Sequence, residues 1–156
     1  MAKKTNQSKT LPIYILNGPN LNLLGEREPE VYGYTTLAQI GKMCADQAAQ
    51  YGLATVFHQS NREGEIVDQL QEARTSGSAV IINPAGYGHT SVAILDSILA
   101  LKIPVIEVHL SNIHRRDPFR SHSYVSKGAT GIIMGLGAQG YLRAVDAIAE
   151  ILKVKT

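Results

Sequence analysis

The chain has little of what would assign it quickly. It holds a single cysteine, Cys44, among 156 residues. One cysteine cannot close an internal disulfide and cannot by itself build a zinc site. Set in a helical pattern, it reads as a small buried residue, and such cysteine usage fits a reducing, cytoplasmic compartment. Neither positive nor negative residues are in large excess. The net charge is +2, and much of the surplus sits near the ends, at Lys3, Lys4, Lys9, Lys153 and Lys155. That gives no case for a nucleic-acid partner. No apolar run approaches the roughly 20 residues that span a membrane. The opening MAKKTNQSKT has no apolar centre, so it reads as a disordered polar tail over residues 1–10 and not as a secretory signal. There is no repeat, linker or low-complexity stretch, and the length is that of a single domain, expected over residues 11–156.

What the chain does have is a regular alternation. Short β-rich runs stand at 11–17, 53–60, 78–86, 104–112 and 130–137. Helical periods stand between or after them at 37–52, 64–77, 91–102 and 138–154. Thr35 or Thr36 can cap the first of these helices and Gly52 can stop it. Strand and helix alternate at the spacing of parallel crossover units, and apolar strands such as AVIIN suit a sheet covered on both faces. The fold predicted is α/β: a flavodoxin-like three-layer sandwich with a five-stranded parallel sheet.

Such sheets bind ligands outside the carboxyl ends of their strands. The residues there are Asn17 to Asn20, Gln59 to Arg62, Asn83 to Gly86, His109 to Asn112 and Gly135 to Gly137. This rim carries amides, hydroxyls and a histidine, with arginines nearby, but no cluster of carboxylates. A phosphoreceiver site needs acids where Asn17 and Asn83 stand. A metal site needs converging ligands, and the histidines are scattered. NGPNLNLLG fits neither phosphate-binding fingerprint. GLGAQG (135–140) matches G-x-G-x-x-G, but close strand–helix packing explains it as well.

Three features on this rim point to chemistry. Glu107 and His109 are two apart on a strand and so share a face. Glu107 can accept the Nδ1–H of His109, or reach it through another group, and aim the other ring nitrogen at the rim, although a structural histidine near a strand end would look the same. HRRDPFRSHSY (114–124) brings Arg115, Arg116, Arg120 and His122. An arginine there could fork onto a carboxylate, while Arg115 and Arg116 read as a solvated loop. The third feature is the long connection from Leu16 to Thr36, in a fold where such loops run roughly 2–6 residues. It carries Arg27 and Tyr32 between Gly25 and Gly33 and can act as a lid. A cation held against a phenol favours the phenolate, a base strong enough to take a proton beside a carbonyl. Tyrosine base, arginine and histidine acid together make an elimination enzyme.

NGPNLNLLGEREPEVYG, NPAGYGHTSVAILD, EVHLSN and FRSHSY, in this order and spacing, resemble the type II 3-dehydroquinate dehydratases from about Leu11 onward. The resemblance implies loss of water from 3-dehydroquinate to give 3-dehydroshikimate, the third step of chorismate and aromatic amino acid biosynthesis. It implies an anti elimination through an enolate, without metal or other cofactor. Tyr32 is then the base, Arg27 keeps it ionised, and Asn20 stabilises the enolate through a bound water. His109 protonates the leaving hydroxyl and Glu107 holds its ring. Asn83, His89 and Arg120 hold substrate hydroxyls, and the N–H groups of Leu110 and Ser111 hold its carboxylate. Asp96 comes from a neighbouring subunit, in a dodecamer built from trimers. The alternative is a degenerate homologue, or a flavodoxin-like module that only binds a small anion. One departure is visible: the family pattern N-P-G-G-Y-T-H-T-S is here NPAGYGHTS. Ala85 is strained if that glycine normally takes φ > 0, and Gly88 is expected to loosen the chain before His89.

Overall fold

The structure, a computed structural model, describes residues 10–154. The expected tail falls outside the described residues except for Thr10. The strands are β1 (Ile13–Asn17), β2 (Thr55–Gln59), β3 (Ala79–Asn83), β4 (Val105–His109) and β5 (Gly131–Met134). The helices are α1 (Pro29–Tyr32), α2 (Leu37–Ala49), α3 (Glu63–Ser76), α4 (Val92–Leu99) and α5 (Gln139–Val154). The strands form one five-stranded, all-parallel sheet in the order β2-β1-β3-β4-β5, the flavodoxin-like order. The expected strands and long helices are all present, most with shorter ends, and α3 begins one residue earlier than expected. The unforeseen elements are α1 and several single turns of 3-10 helix, too short to carry a periodic signal.

Alternate side chains of each central strand serve opposite layers. Ile13, Ile15, Ala79, Ile81, Ile106 and Val108 meet Ile40 and Cys44 of α2 and Tyr141, Val145 and Ile148 of α5. Tyr14, Leu16, Val80, Ile82 and Val105 meet Ile66 and Leu70 of α3 and Ile94 and Ile98 of α4. Each fully buried isoleucine or leucine contributes roughly 1.5–3 kcal/mol, so both layers are strongly held. Cys44 is fully buried in the first layer, and burial pushes its thiol up to about 12, far from reactive.

The long helices start where the sequence places caps. Thr36 and Gln39 form a reciprocal capping box at α2, with bonds of 2.9 and 3.2 Å. Ser91 Oγ accepts from the Ile94 N–H at 2.9 Å to start α4. Among the described residues no helix is long and apolar enough to cross a membrane.

The register sets the site. Asn17 lies level with Gln59 on one side and Asn83 on the other, so three strands end in one row. The strand order reverses between β1 and β3, and the loops that follow them part there to leave a crevice.

Candidate active site

The crevice encloses about 160 Å³ and is lined from three strand ends and the segment after β4. The loop after β1 supplies Asn20, Arg27 and Tyr32. The end of β3 supplies Asn83, Ala85 and His89. His109, Leu110, Ser111, Arg116 and Arg120 come from β4 and beyond. Of the expected site residues, only two are not on this lining. Glu107 lies fully buried behind His109, and Asp96 lies on the outer face of α4.

Glu107 and His109 are paired, but through a different ring nitrogen from the one expected. His109 Nε2 meets Glu107 Oε1 at 2.6 Å. Nδ1 is therefore the ring nitrogen turned from the carboxylate. Ser123 Oγ also donates to Oε1, at 2.6 Å, and Ser126 Oγ donates to Oε2. Burial works to raise this carboxyl, yet the bonds from His109, Ser123 and Ser126 outweigh it and hold the group below the ordinary carboxylate range. The carboxylate stays charged where a lone buried acid would not, ready to stabilise an imidazolium. The two serines went unread, although Ser123 falls within FRSHSY.

Tyr32 closes the short helix α1, whose entry Glu28 and exit Gly33 both have positive φ, at 41° and 82°. Two guanidinium groups flank its ring. Arg27 lies 5.3 Å from the ring centroid and pairs with Glu28 at 3.1 Å. Arg116 lies 5.1 Å from the centroid, and its Nη1 donates to the phenol oxygen at 2.9 Å. Arg116 is thus no solvated surface residue, a correction to the sequence reading. Asn112 explains it: its side chain accepts from the His114 N–H at 3.1 Å and starts a tight turn, after which Arg116 stands over Tyr32. Arg115 remains exposed.

On the opposite wall, His89 Nδ1 donates to the His122 carbonyl at 2.7 Å, which directs Nε2 elsewhere. Arg120 Nε is buried without a hydrogen-bond partner. Asp117 stands 3.5 Å away, too far to satisfy it, so this arginine has donor capacity for a ligand. Asn83 ends a directed chain. The Ala85 N–H donates to Asn83 Oδ1 at 3.2 Å. Asn83 Nδ2 donates to Tyr141 Oη at 2.9 Å. That hydroxyl donates to Asn17 Oδ1 at 2.7 Å, and Asn17 Nδ2 donates to the His58 carbonyl at 2.9 Å. Tyr141 is fully buried on α5, and burial raises its phenol.

Both departures from the family pattern are resolved. Ala85 has φ 50°, the left-handed conformation that a glycine would take without strain. Gly88 is buried and packed, contrary to the looseness expected of it. A Cβ there would stand 2.9 Å from Pro84 Cγ and 3.4 Å from Ser123 Oγ. The GLGAQG glycines are also structural. Gly135 and Gly137 donate their N–H groups to the carbonyls of His109 and Leu110, so those amides cannot cradle a phosphate.

Asp96 occupies an exposed stripe with Val92, Ala93, Leu99 and Ala100. These positions fall on one helical face, so a carboxylate stands amid apolar side chains turned outward.

The arrangement combines a phenol under two guanidinium groups, a carboxylate-backed imidazole and an anion-ready arginine. The family model for class II dehydroquinases matches residues 11–149. The 3-dehydroquinate dehydratase of Caulobacter sp. (strain K31) is 56% identical over 141 residues, 90% of this chain and 96% of that protein. That of Streptomyces coelicolor is 55% identical over 141 residues, 90% of each chain. The crystal structure of type II dehydroquinase from Propionibacterium acnes superposes with a TM-score of 0.87 at 40% identity, covering 90% of this chain and 97% of that one.

Proposed function

The chain belongs to the class II dehydroquinases, a family of hydro-lyases, and on that premise we propose that it converts 3-dehydroquinate to 3-dehydroshikimate by anti elimination through an enolate. The observation that carries the mechanism is the Arg116–Tyr32 hydrogen bond, in the same crevice as the Glu107–His109 pair. Arg116 donates to the oxygen that must bear negative charge for Tyr32 to act as base. Arg27, over the ring, adds a second cation.

Tyr32 takes the C2 proton beside the C3 ketone. The electron pair moves onto the ketone oxygen, and Asn20 stabilises that enolate through a bound water. The enolate collapses, the C1–O bond breaks, and His109 gives its proton to the departing hydroxyl, which leaves as water. Solvent returns the proton from Tyr32 to His109. Glu107 holds the His109 ring and offsets its positive charge before the transfer. Asn83, His89 and Arg120 hold the ring hydroxyls, and the N–H groups of Leu110 and Ser111 hold the carboxylate.

Asp96 serves the crevice of a neighbouring subunit, in a dodecamer of trimers. Its place on an outward apolar stripe supports that role, since such a stripe is stabilised by cover. The setting is aromatic biosynthesis in the cytoplasm, a reducing compartment with which a lone unpaired thiol is consistent.

The product is a conjugated enone, so ultraviolet absorbance on mixing with 3-dehydroquinate reads the reaction directly. Turnover that survives borohydride pretreatment is expected, because no lysine imine takes part. Folded protein that produces no absorbance change refutes the reading, in favour of a module that only binds.

A further inference from the structure

The loop after β2 contributes nothing to the crevice lining, yet it is tied to two loops that do. Asn61 is exposed at its tip. Its side-chain Oδ1 accepts from the backbone N–H of Asn20 at 3.0 Å and from Gln59 Nε2 at 3.1 Å. Gln59 Nε2 also donates to the Gly18 carbonyl at 3.2 Å. From the other side, Tyr87 Oη donates to the Asn61 carbonyl at 2.6 Å. One residue therefore gathers the loops after β1, β2 and β3.

The contact with Asn20 matters most. Asn20 has φ 67° and ψ −5°, a left-handed conformation that asparagine tolerates better than other side-chain-bearing residues but that lies outside its main basins. Its hydrogen-bond partners then help decide whether it holds that conformation. The Asn20 carbonyl accepts from the Leu23 N–H at 3.0 Å, and its own N–H is fixed by Asn61.

We infer that Asn61 is a positioning residue for Asn20: its side-chain oxygen sets the backbone conformation that aims the Asn20 amide at the developing enolate. This rests on the role given to Asn20 above. Because that charge develops only during reaction, misplacing Asn20 lowers kcat far more than it alters substrate binding.

The bond needs an acceptor and nothing else, which gives a chemically selective test. The assay is steady-state dehydration of 3-dehydroquinate by the full chain, read by enone absorbance, with thermal midpoints in parallel. Asn61→Leu removes the acceptor and is expected to lower kcat about tenfold, with KM changed less than about threefold. Asn61→Asp keeps an oxygen in place and is expected to restore kcat to within about threefold of the parent. Tyr87→Phe frees the same loop from its other side and is expected to lower kcat about threefold. If Asn61→Leu does not fold, the smaller Asn61→Ala, which also lacks the acceptor, takes its place, with the same fall in kcat expected and a kcat within about twofold of the parent overturning the inference. A merely structural role would lower the thermal midpoint without this split between kcat and KM and without selective rescue by Asp. Asn61→Leu with kcat within twofold of the parent, beside an Asn20→Ala variant that loses tenfold or more, overturns the inference alone. Unchanged kcat in Asn20→Ala overturns the role of Asn20 itself, and this inference with it.

Discussion

Replacing Glu107 with Gln separates the two things its carboxylate does. The side chain is fully buried and receives His109, Ser123 and Ser126. Gln has nearly the same shape. Its oxygen can take the place of Oε1 and still accept from His109 and Ser123. Its amide nitrogen can take the place of Oε2, where the Ser126 hydroxyl rotates from donor to acceptor. The geometry survives and the charge does not. Charge-assisted bonds contribute about 1.5–3 kcal/mol against roughly 1 for neutral ones, but the neutral amide also escapes the cost of burying an ion. These opposing terms are of similar size, so stability near pH 7 should change by no more than about 1–2 kcal/mol.

The pH dependence is sharper. The folded carboxyl titrates below its ordinary value. Its contribution to stability is therefore full above the unfolded value of about 4.3 and is lost as pH falls through the folded one. Denaturant midpoints of the parent and Glu107→Gln should run parallel above about pH 5.5 and converge, or cross, in acid. Activity should show the other role. Without the carboxylate, His109 loses its partner for positive charge, and kcat should fall about 100-fold or more, within the range general acid catalysis supplies. Parallel stability curves down to acid, together with kcat within about threefold of the parent, would refute the account of Glu107 as a charged support.

The remaining outcomes concern the crevice wall, the base and the outward stripe. Reversing the two departures one at a time should give opposite results: Ala85→Gly relieves a left-handed alanine and should raise the melting midpoint by about 1–3 °C. Gly88→Thr drives a side chain against Pro84 and should cost about 1–3 kcal/mol by denaturant titration; shifts of the same sign would contradict the packing described. Tyr32→Phe keeps the ring under both guanidinium groups and should melt within about 2 °C of the parent. Its turnover should fall at least about 100-fold, and substantial activity would remove Tyr32 as base. Arg116→Leu should lower kcat more than Arg27→Leu, because only Arg116 bonds the phenol oxygen; the reverse order in paired kinetics would reassign the two arginines. If Asp96 completes a neighbour's crevice, activity per chain should fall on dilution as sedimentation shows assemblies dissociating; constant specific activity through that dissociation would place Asp96 outside the mechanism.

Period and composition made the fold legible. Buried parallel strands must be nearly all apolar, and helices that cover them must repeat at a helical spacing, so both leave long signals. Much of the crevice was legible for a different reason: a parallel sheet gathers its strand ends on one edge, so Asn83 and His109 could be placed without knowing any side-chain path. Arg116 was not legible, because a charged loop residue and a guanidinium turned inward by an Asn112-capped turn have the same local sequence. Ser123 and Ser126 were hidden similarly, since serines are common in loops and their meaning here comes from a carboxylate far off in the chain. The choice of Nε2 over Nδ1 at His109 depends on ring rotation, which strand alternation does not fix.

The chain of donors from Ala85 through Asn83, Tyr141 and Asn17 to His58 behaves as a one-way circuit. Each of its three side chains is ambivalent, since an amide can turn end for end and a hydroxyl can point either way. Its terminals are not: a peptide N–H can only give a proton and a peptide carbonyl can only take one. Fixing the two ends therefore leaves a single sense for everything between. The face that Asn83 turns to the crevice is selected partly by a carbonyl on β2, an outer strand that has no place on the crevice wall.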